Sequence, residues 1–148
     1  MSKDKNYVGI DISKNDFDVS FPSGQHLKLS NDAKGFAKLL KKLPQVAHCV
    51  MEQTGRYHQQ LANYLFDCEI PVSVVNALTV KRFIQMRLKV TKTDKADARM
   101  IREYAQWDKP SLWQPPAEYI LRCKELRQLV SLLLKQSTAL KNQRHSIE

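Results

Sequence analysis

Four carboxylates pose the chemical question. Asp11 lies at the end of an alternating apolar stretch, and Glu52 closes a continuous apolar run. Asp94 and Asp97 stand three residues apart at the start of a helical pattern, hence on one helix face. Hard divalent cations take oxygen ligands. Mg2+, or Mn2+ in its place, binds a few carboxylates together with water and phosphate oxygens. Lys89, Lys92 and Lys95 flank Asp94, as a site that handles phosphate requires. Taken singly, the acids also have ordinary readings. Asp11 can be a turn residue, and Asp94 and Asp97 can be first-turn helix acids favoured by the helix dipole. Glu52 is more specific, because an acid ending an apolar strand needs a partner or water. Asp16 and Asp18 are assigned to a solvated hairpin region and Asp32 to helix capping. Lys14, three residues after Asp11, reads either as a phosphate contact or as a plain turn lysine. His58 reads as a surface helix residue.

The elements that must position these acids follow from periodicity. Tyr7 to Ile12 alternates as a strand, with Val8, Ile10 and Ile12 on one face and Tyr7, Gly9 and Asp11 on the other. On that second face, Gly9 is expected to leave the surface around Asp11 open. Phe17 to Phe21 and His26 to Leu29 read as two more strands, joined by turns short enough to force an antiparallel meander. Asp32 can cap a helix through Lys42, ended by Pro44. Ala47 to Glu52 is apolar enough to be a strand buried on both faces, lying parallel beside the first. A helix from Tyr57 to Phe66 and a short strand from Pro71 to Val75 follow. Asn76 can cap a basic helix to about Leu88, and Thr93 can cap another from Asp94 to Ala105. Strands one and four as neighbours would set Asp11 and Glu52 about 4.8 Å apart.

Three of the six prolines fall at Pro110, Pro115 and Pro116, which marks a boundary. Beyond it, Tyr119, Leu126, Leu133, Leu140 and Ile147 recur every seventh residue, extended by Cys123 and Val130. This is one long, coiled-coil-like helix whose seam is interrupted by Gln136 and Gln143. The expected organisation is therefore a domain over residues 1–109, a proline-rich linker over 110–116 and a long helix over 117–148. Trp107 and Trp113 flank the linker and are expected to pack it, base stacking being the lesser option.

Composition narrows the function. With 148 residues, 43% hydrophobic and 26% charged, the chain is globular in character. The polar start, without an apolar leader, and the lack of a long apolar run predict a cytoplasmic protein with no membrane contact. Three scattered cysteines suit a reducing compartment and make neither a disulfide framework nor a zinc site. Four glycines form no phosphate-binding loop. The net charge of +9 is uneven. Residues 1–76 carry 9 basic and 8 acidic side chains, whereas residues 77–109 carry 9 and 4. Lys81, Arg82, Arg87, Lys89, Lys92 and Lys95 thus mark a polyanion surface, nucleic acid first, with a solvated basic face as the plain alternative.

Three meander strands followed by helix, strand, helix, strand and helix is the order of an α/β, ribonuclease-H-like fold: a mixed five-stranded sheet with helices on both faces. The actin and sugar-kinase fold shares the opening strand but needs glycine-rich phosphate loops. At this point the motifs coincide with a known family. The strand Gly9 to Lys14 (GIDISK), then Met51 to His58 (MEQTGRYH), Pro71 to Asn76 (PVSVVN) and Lys92 to Arg99 (KTDKADAR) resemble, in order, the N-terminal domain of DEDD transposases. These belong to the insertion-sequence one-hundred-and-ten group, relatives of the Piv/MooV invertases. The last helix departs from the family's basic character at Ser131 to Leu134.

The resemblance implies a RuvC-like fold and a DEDD tetrad at Asp11, Glu52, Asp94 and Asp97 that holds Mg2+. It implies site-specific recombination of a mobile element, with DNA cleavage and rejoining, guided by a structured RNA. Full-length members carry a further domain with a nucleophilic serine, so the sequence is expected to be a fragment that cannot recombine DNA alone. DNA, a guide RNA and a second copy joined through the last helix are the expected partners. Two other readings stay open: a non-catalytic nucleic-acid-binding module and a stand-alone junction-resolving endonuclease.

Overall fold

A computed structural model of the chain describes residues 6–53, 55–87 and 94–147, with 94–96 by backbone only. Thr54, Lys89, Lys92 and Thr93, and the side chains of Asp94 and Lys95, lie outside the described residues. The elements are β1 (Asn6–Ile12), β2 (Asp16–Ser20), β3 (His26–Ser30), α1 (Ala33–Lys42), β4 (Ala47–Glu52), α2 (His58–Asp67), β5 (Val72–Val75), α3 (Ala77–Met86), α4 (Asp94–Asp108) and α5 (Glu118–His145). The five strands form one sheet in the order β3-β2-β1-β4-β5. β1, β2 and β3 pair antiparallel, while β4 pairs parallel with both β1 and β5. This is the ribonuclease-H-like arrangement expected from the sequence.

Local chemistry explains the order. The Ser13 N–H donates to the Asp16 carbonyl at 2.9 Å, closing the first turn. Gly24, with φ +84, closes the second in a conformation that side chains resist. The Asp32 carboxylate accepts from the Gly35 N–H at 2.8 Å and starts α1. That helix carries the chain back so that β4 enters parallel to β1. Asn76 starts α3 the same way, accepting from the Leu78 N–H at 2.8 Å.

Alternation then divides the apolar residues between two faces. Val8, Ile10, Phe17, Val19, Cys49 and Met51 pack with Phe36 and Leu39 of α1 and Leu61 and Leu65 of α2. Tyr7, Val50 and Val75 pack on the other face with Val80 and Phe83 of α3 and Met100, Ile101, Tyr104 and Ala105 of α4. Fully burying one such large side chain stabilises the fold by about 1.5–3 kcal/mol. β4 is buried from Ala47 to Met51, as a central strand covered on both faces must be.

Two expectations change, and one for Trp113 holds. Gly9 does not leave its surface open: a side chain there would collide with the Ala98 carbonyl and the Arg102 backbone, so the bare glycine lets α4 sit directly on β1. α4 runs three residues past Ala105, to Asp108. The proline-rich segment is fastened at its start. The Trp113 N–H donates to the Val72 carbonyl of β5 at 2.7 Å, and its ring packs against the first core. The Ser73 hydroxyl donates to the Ser111 carbonyl at 2.6 Å. These contacts cover the outer edge of the sheet at β5. The chain divides into two compact units between Gln114 and Pro115. The second unit consists chiefly of α5, which has no buried residue. Among the described residues, no helix is long and apolar enough to cross a membrane.

Candidate functional site

Ile10 of β1 pairs with Met51 of β4, so Asp11 and Glu52 occupy the next position along two adjacent parallel strands. They share the sheet face of Gly9 and Val50, about 4.8 Å apart in the pairing direction. Both are half-buried. Neighbouring strands carry the row further. Asp11 pairs with Asp18 of β2, Asp18 with Lys28 of β3, and Glu52 with Val75 of β5. One line across the sheet therefore reads Lys28, Asp18, Asp11, Glu52, Val75.

The first turn of α4 approaches the end of this row. Ala98 and Arg102 lie over Gly9. The Arg102 guanidinium donates to the carbonyl of Phe21, the residue after Ser20, which is Gly9's partner on β2. The helix thus runs antiparallel to β1, and its first turn points toward the end of β1 that carries Asp11. From Ala98 back to Asp94 is four residues, roughly 6 Å of helix. From Gly9 on to Asp11 is two residues, roughly 6.6 Å of strand. The backbone of Asp94 is thereby placed near the height of Asp11. Asp97 is half-buried one position before the buried Ala98.

Asp11 and Glu52 are brought together, with Asp97 delivered to the same end of the sheet. Among the described residues, no group of three or more His, Cys, Asp or Glu side chains is close enough to hold a metal ion. The donor set itself, all carboxylate oxygens, suits a hard divalent cation.

Asp18 is what sequence reasoning missed. The sequence places it in a solvated meander, yet it is only 4% exposed because α4 covers both β1 and β2. Two like charges directly opposite on paired strands repel. Basic side chains stand on the far side of Asp18. His26 Nε2 stands 2.8 Å from Asp18 Oδ1, off the line of a hydrogen bond, and Lys28 Nζ stands 3.7 Å from Oδ2. The signal was present in the sequence: Phe17, Val19 and Phe21 alternate with Asp16, Asp18 and Ser20, which fixes Asp18 on the Asp11 face once the turn register is known.

The other candidates separate clearly. Lys14 is exposed in the turn that follows Asp11. Lys81 and Arg82 are exposed on α3, and Arg87 caps its end with its guanidinium 5.1 Å from the centre of the Phe83 ring. Asp32 serves as the α1 cap, and the Gly35 N–H, with the Ser30 hydroxyl second, holds its carboxyl below the usual range. His58 is not a surface residue. It is 4% exposed, burial pushes its pKa down, and its Nδ1 has no hydrogen-bond partner among the described residues.

A family model described as a transposase, of the IS110 DEDD type, matches residues 8–147. The chain belongs to the IS110-type DEDD transposase family. Within this family it is 33% identical over 123 residues to the pilin gene-inverting proteins of Moraxella lacunata and Moraxella bovis. The match takes in 77% of the chain and 38% of each relative, so this DEDD transposase chain spans well under half the length of those proteins. A solved structure of T. thermophilus RuvC in complex with a Holliday junction substrate is also similar, with a TM-score of 0.48 and 10% identity. That similarity covers 72% of the chain and 99% of the RuvC chain. The ribonuclease-H-like assignment rests on the strand order and pairing themselves.

Proposed function

We propose that this chain is the catalytic domain of a DNA transposase or site-specific recombinase that cleaves and rejoins DNA strands with Mg2+ or Mn2+. One observation carries the reading: in a chain of the DEDD transposase family, Asp11 and Glu52 fall side by side on adjacent parallel strands, at the end of the sheet where α4 begins. Asp11, Glu52, Asp94 and Asp97 would hold the metal. When bound, a divalent ion neutralises phosphate charge and makes an attacking oxygen more acidic. The chain's own contribution is position. Gly9 lets α4 close on the sheet, and β1 and β4 fix two carboxylates at one height. Asp18, with Lys28 Nζ 3.7 Å from its Oδ2, adds a further carboxylate beside Asp11. Lys14, Lys81, Arg82, Arg87, Lys89, Lys92 and Lys95 supply cations for nucleic-acid phosphates.

The same reading extends to the partners. The name of the Moraxella relatives, pilin gene-inverting protein, supports DNA as substrate. We infer a structured guide RNA as a second ligand and a cytoplasmic setting in which the free cysteines stay reduced. Strand rejoining would draw on the serine-bearing domain that the family resemblance implies. α5 would join two copies: Tyr119, Leu126, Leu133 and Leu140 lie along it, each more than half exposed. Covering such area is favourable by about 25 cal/mol per Å2.

The test of catalysis is Mn2+-dependent cleavage of branched DNA by this chain, together with recombination by the transposase that carries it. Asp11→Ala is expected to abolish both while the fold melts normally. Retained recombination would end the metal reading. The competing reading, a non-catalytic nucleic-acid-binding module, draws on the exposed cations Lys81, Arg82 and Arg87. Its carboxylates would only place a metal-bridged phosphate, and it predicts no Mn2+-dependent cleavage by the unaltered chain.

A further inference from the structure

Away from the carboxylates, α3 and α4 enclose an open cleft of about 570 Å3, lined by Arg87, Arg102, Glu103, Gln106 and Trp107. Its one aromatic lining residue, Trp107, is backed by two buried rings. Phe83 and Tyr104 are buried with ring centres 5.6 Å apart, edge to face. Trp107 rests on both, at 5.6 Å from Phe83 and 6.4 Å from Tyr104, yet remains 59% exposed. One edge of the indole is anchored and the rest is offered to solvent. A large apolar ring held in this way is a platform, since neither its own burial nor the core requires the exposed area.

The rim is cationic and constrained. The Arg87 guanidinium lies over Phe83, 5.1 Å from the ring centre, which limits its orientations. Arg102 is tied at one corner to the Phe21 carbonyl, and its Nε is buried with no acceptor among the described residues. An unmet buried donor adds to the positive field of the cleft and is uncommon in folded proteins. Among the described residues Glu103 is the one acid on the rim, and Arg99 Nε donates to it at 3.0 Å. Arg87, Arg99 and Arg102 thus outweigh it. Gln106 adds an exposed amide able both to donate and to accept.

We propose that this cleft receives one unpaired nucleotide of a nucleic-acid strand: the base stacks on Trp107, Gln106 hydrogen-bonds its edge, and Arg87 and Arg102 take the flanking phosphates. An aromatic face with a cationic track beside it is how proteins hold single strands, because every base has a face to stack and every nucleotide a phosphate. A purely anionic metabolite would leave the indole idle, and a duplex would keep its bases out of reach. The inference rests on the nucleic-acid reading above and deepens it. Trp107 lies ten residues along α4 from Asp97, roughly 15 Å of helix. A strand held there is unpaired close to the carboxylates.

The chain offers its own reporter, because Trp107 and Trp113 are its two tryptophans. Trp113 is occupied elsewhere, edge-on to Phe66 at 6.2 Å with its backbone N–H on Val72. The full chain is titrated at low salt with labelled oligo-dT and, in a second arm, oligo-U. Label anisotropy and tryptophan emission are read together. Binding is expected to quench Trp107, and the tighter arm identifies DNA or RNA as the ligand. Trp107→Ala is expected to remove the quench and weaken binding about five- to 150-fold, with Trp107→Tyr recovering most of it. Arg87→Gln is expected to flatten the log-log salt slope by about 0.7, one phosphate contact. Because Trp107 and Arg87 are surface residues, unchanged melting checks that these variants fold. Anisotropy change without quench, or equal affinity for a duplex of the same length, would overturn the cleft while leaving nucleic-acid binding intact. No anisotropy change with either oligonucleotide would overturn both.

Discussion

α4 and α5 are helices of similar sequence texture and opposite circumstances. Both are free of glycine and proline, rich in charge, and carry a periodic apolar stripe. In α4, Ala98, Ile101 and Ala105 are fully buried against the sheet. In α5, Leu126, Leu133 and Leu140 are more than half exposed, and nothing along the helix is buried. The stripes do not explain the difference. α4 has small residues that allow close approach and a bare glycine on the strand beneath, so its backbone seats against β1. α5 carries larger leucines, exposed along its length. An apolar stripe is thus a demand for a partner, and only the partner's shape decides whether the demand is met within one chain.

The comparison can be broken by substitution. Ile101→Ala is predicted to cost about 2–5 kcal/mol of stability, as a fully buried isoleucine does. Leu133→Ala is predicted to cost within about 0.5 kcal/mol in the monomer, as surface changes do. Urea denaturation of both variants at low concentration measures the contrast, and equal losses would mean that α5 packs on its own domain. Gly9→Ala comes next, at the upper end of the ~1–3 kcal/mol that overpacking costs. It should loosen α4 specifically, read as faster hydrogen exchange from Ala98 to Ala105 with α1 unchanged.

Self-association sharpens the same contrast. Sedimentation equilibrium should show residues 1–148 associating at tens of micromolar and a version ending before Pro116 remaining monomeric. Because Gln136 and Gln143 interrupt the seam, the dimer should be of moderate affinity. Two monomers would remove the coiled-coil proposal.

A smaller effect distinguishes the faces by pH. Burial lowers the pKa of His58 in the folded state below its ordinary value near 6.5. Above that value the ring is neutral in both states and its contribution is complete. As pH falls through 6.5 toward the lower folded value, the unfolded chain takes up the proton first and stability is lost. His58→Met should flatten that part of the stability profile, and an unchanged slope would show that other groups govern it. Smallest is a contrast in thiol chemistry. Burial pushes the Cys49 thiol up to about 12, whereas Cys123 is exposed on α5. A thiol reagent should label Cys123 rapidly and Cys49 only on unfolding, as mass spectrometry would show.

Much of the site's frame was legible because it depends on local rules. Short turns left β1, β2 and β3 no option but antiparallel pairing. The apolar run from Ala47 to Met51 had to be a central strand, and that placed Glu52 beside Asp11. Asp32 and Asn76 declared their helix starts by side-chain type and position. Asp18 was misread because hydropathy cannot distinguish an acid facing water from one facing a helix that arrives eighty residues later. Gly9 was read as an opening for the same reason, when it is the seat of that helix. His58, assigned to the surface, is buried because the start of α2 turns it inward.

What the sequence determined by itself was the alternation, the caps, the strand order and the family, since each is written in neighbouring residues or in spaced motifs. The tertiary structure alone decided which side of the sheet α4 would cover, how deeply it would settle on Gly9, that Asp18 would join the carboxylate row, and that Trp107 would stand exposed between Arg87 and Arg102. Those outcomes depend on contacts between distant segments. Contact at a few ångströms depends on side-chain volume on both partners, which no single stretch of sequence contains.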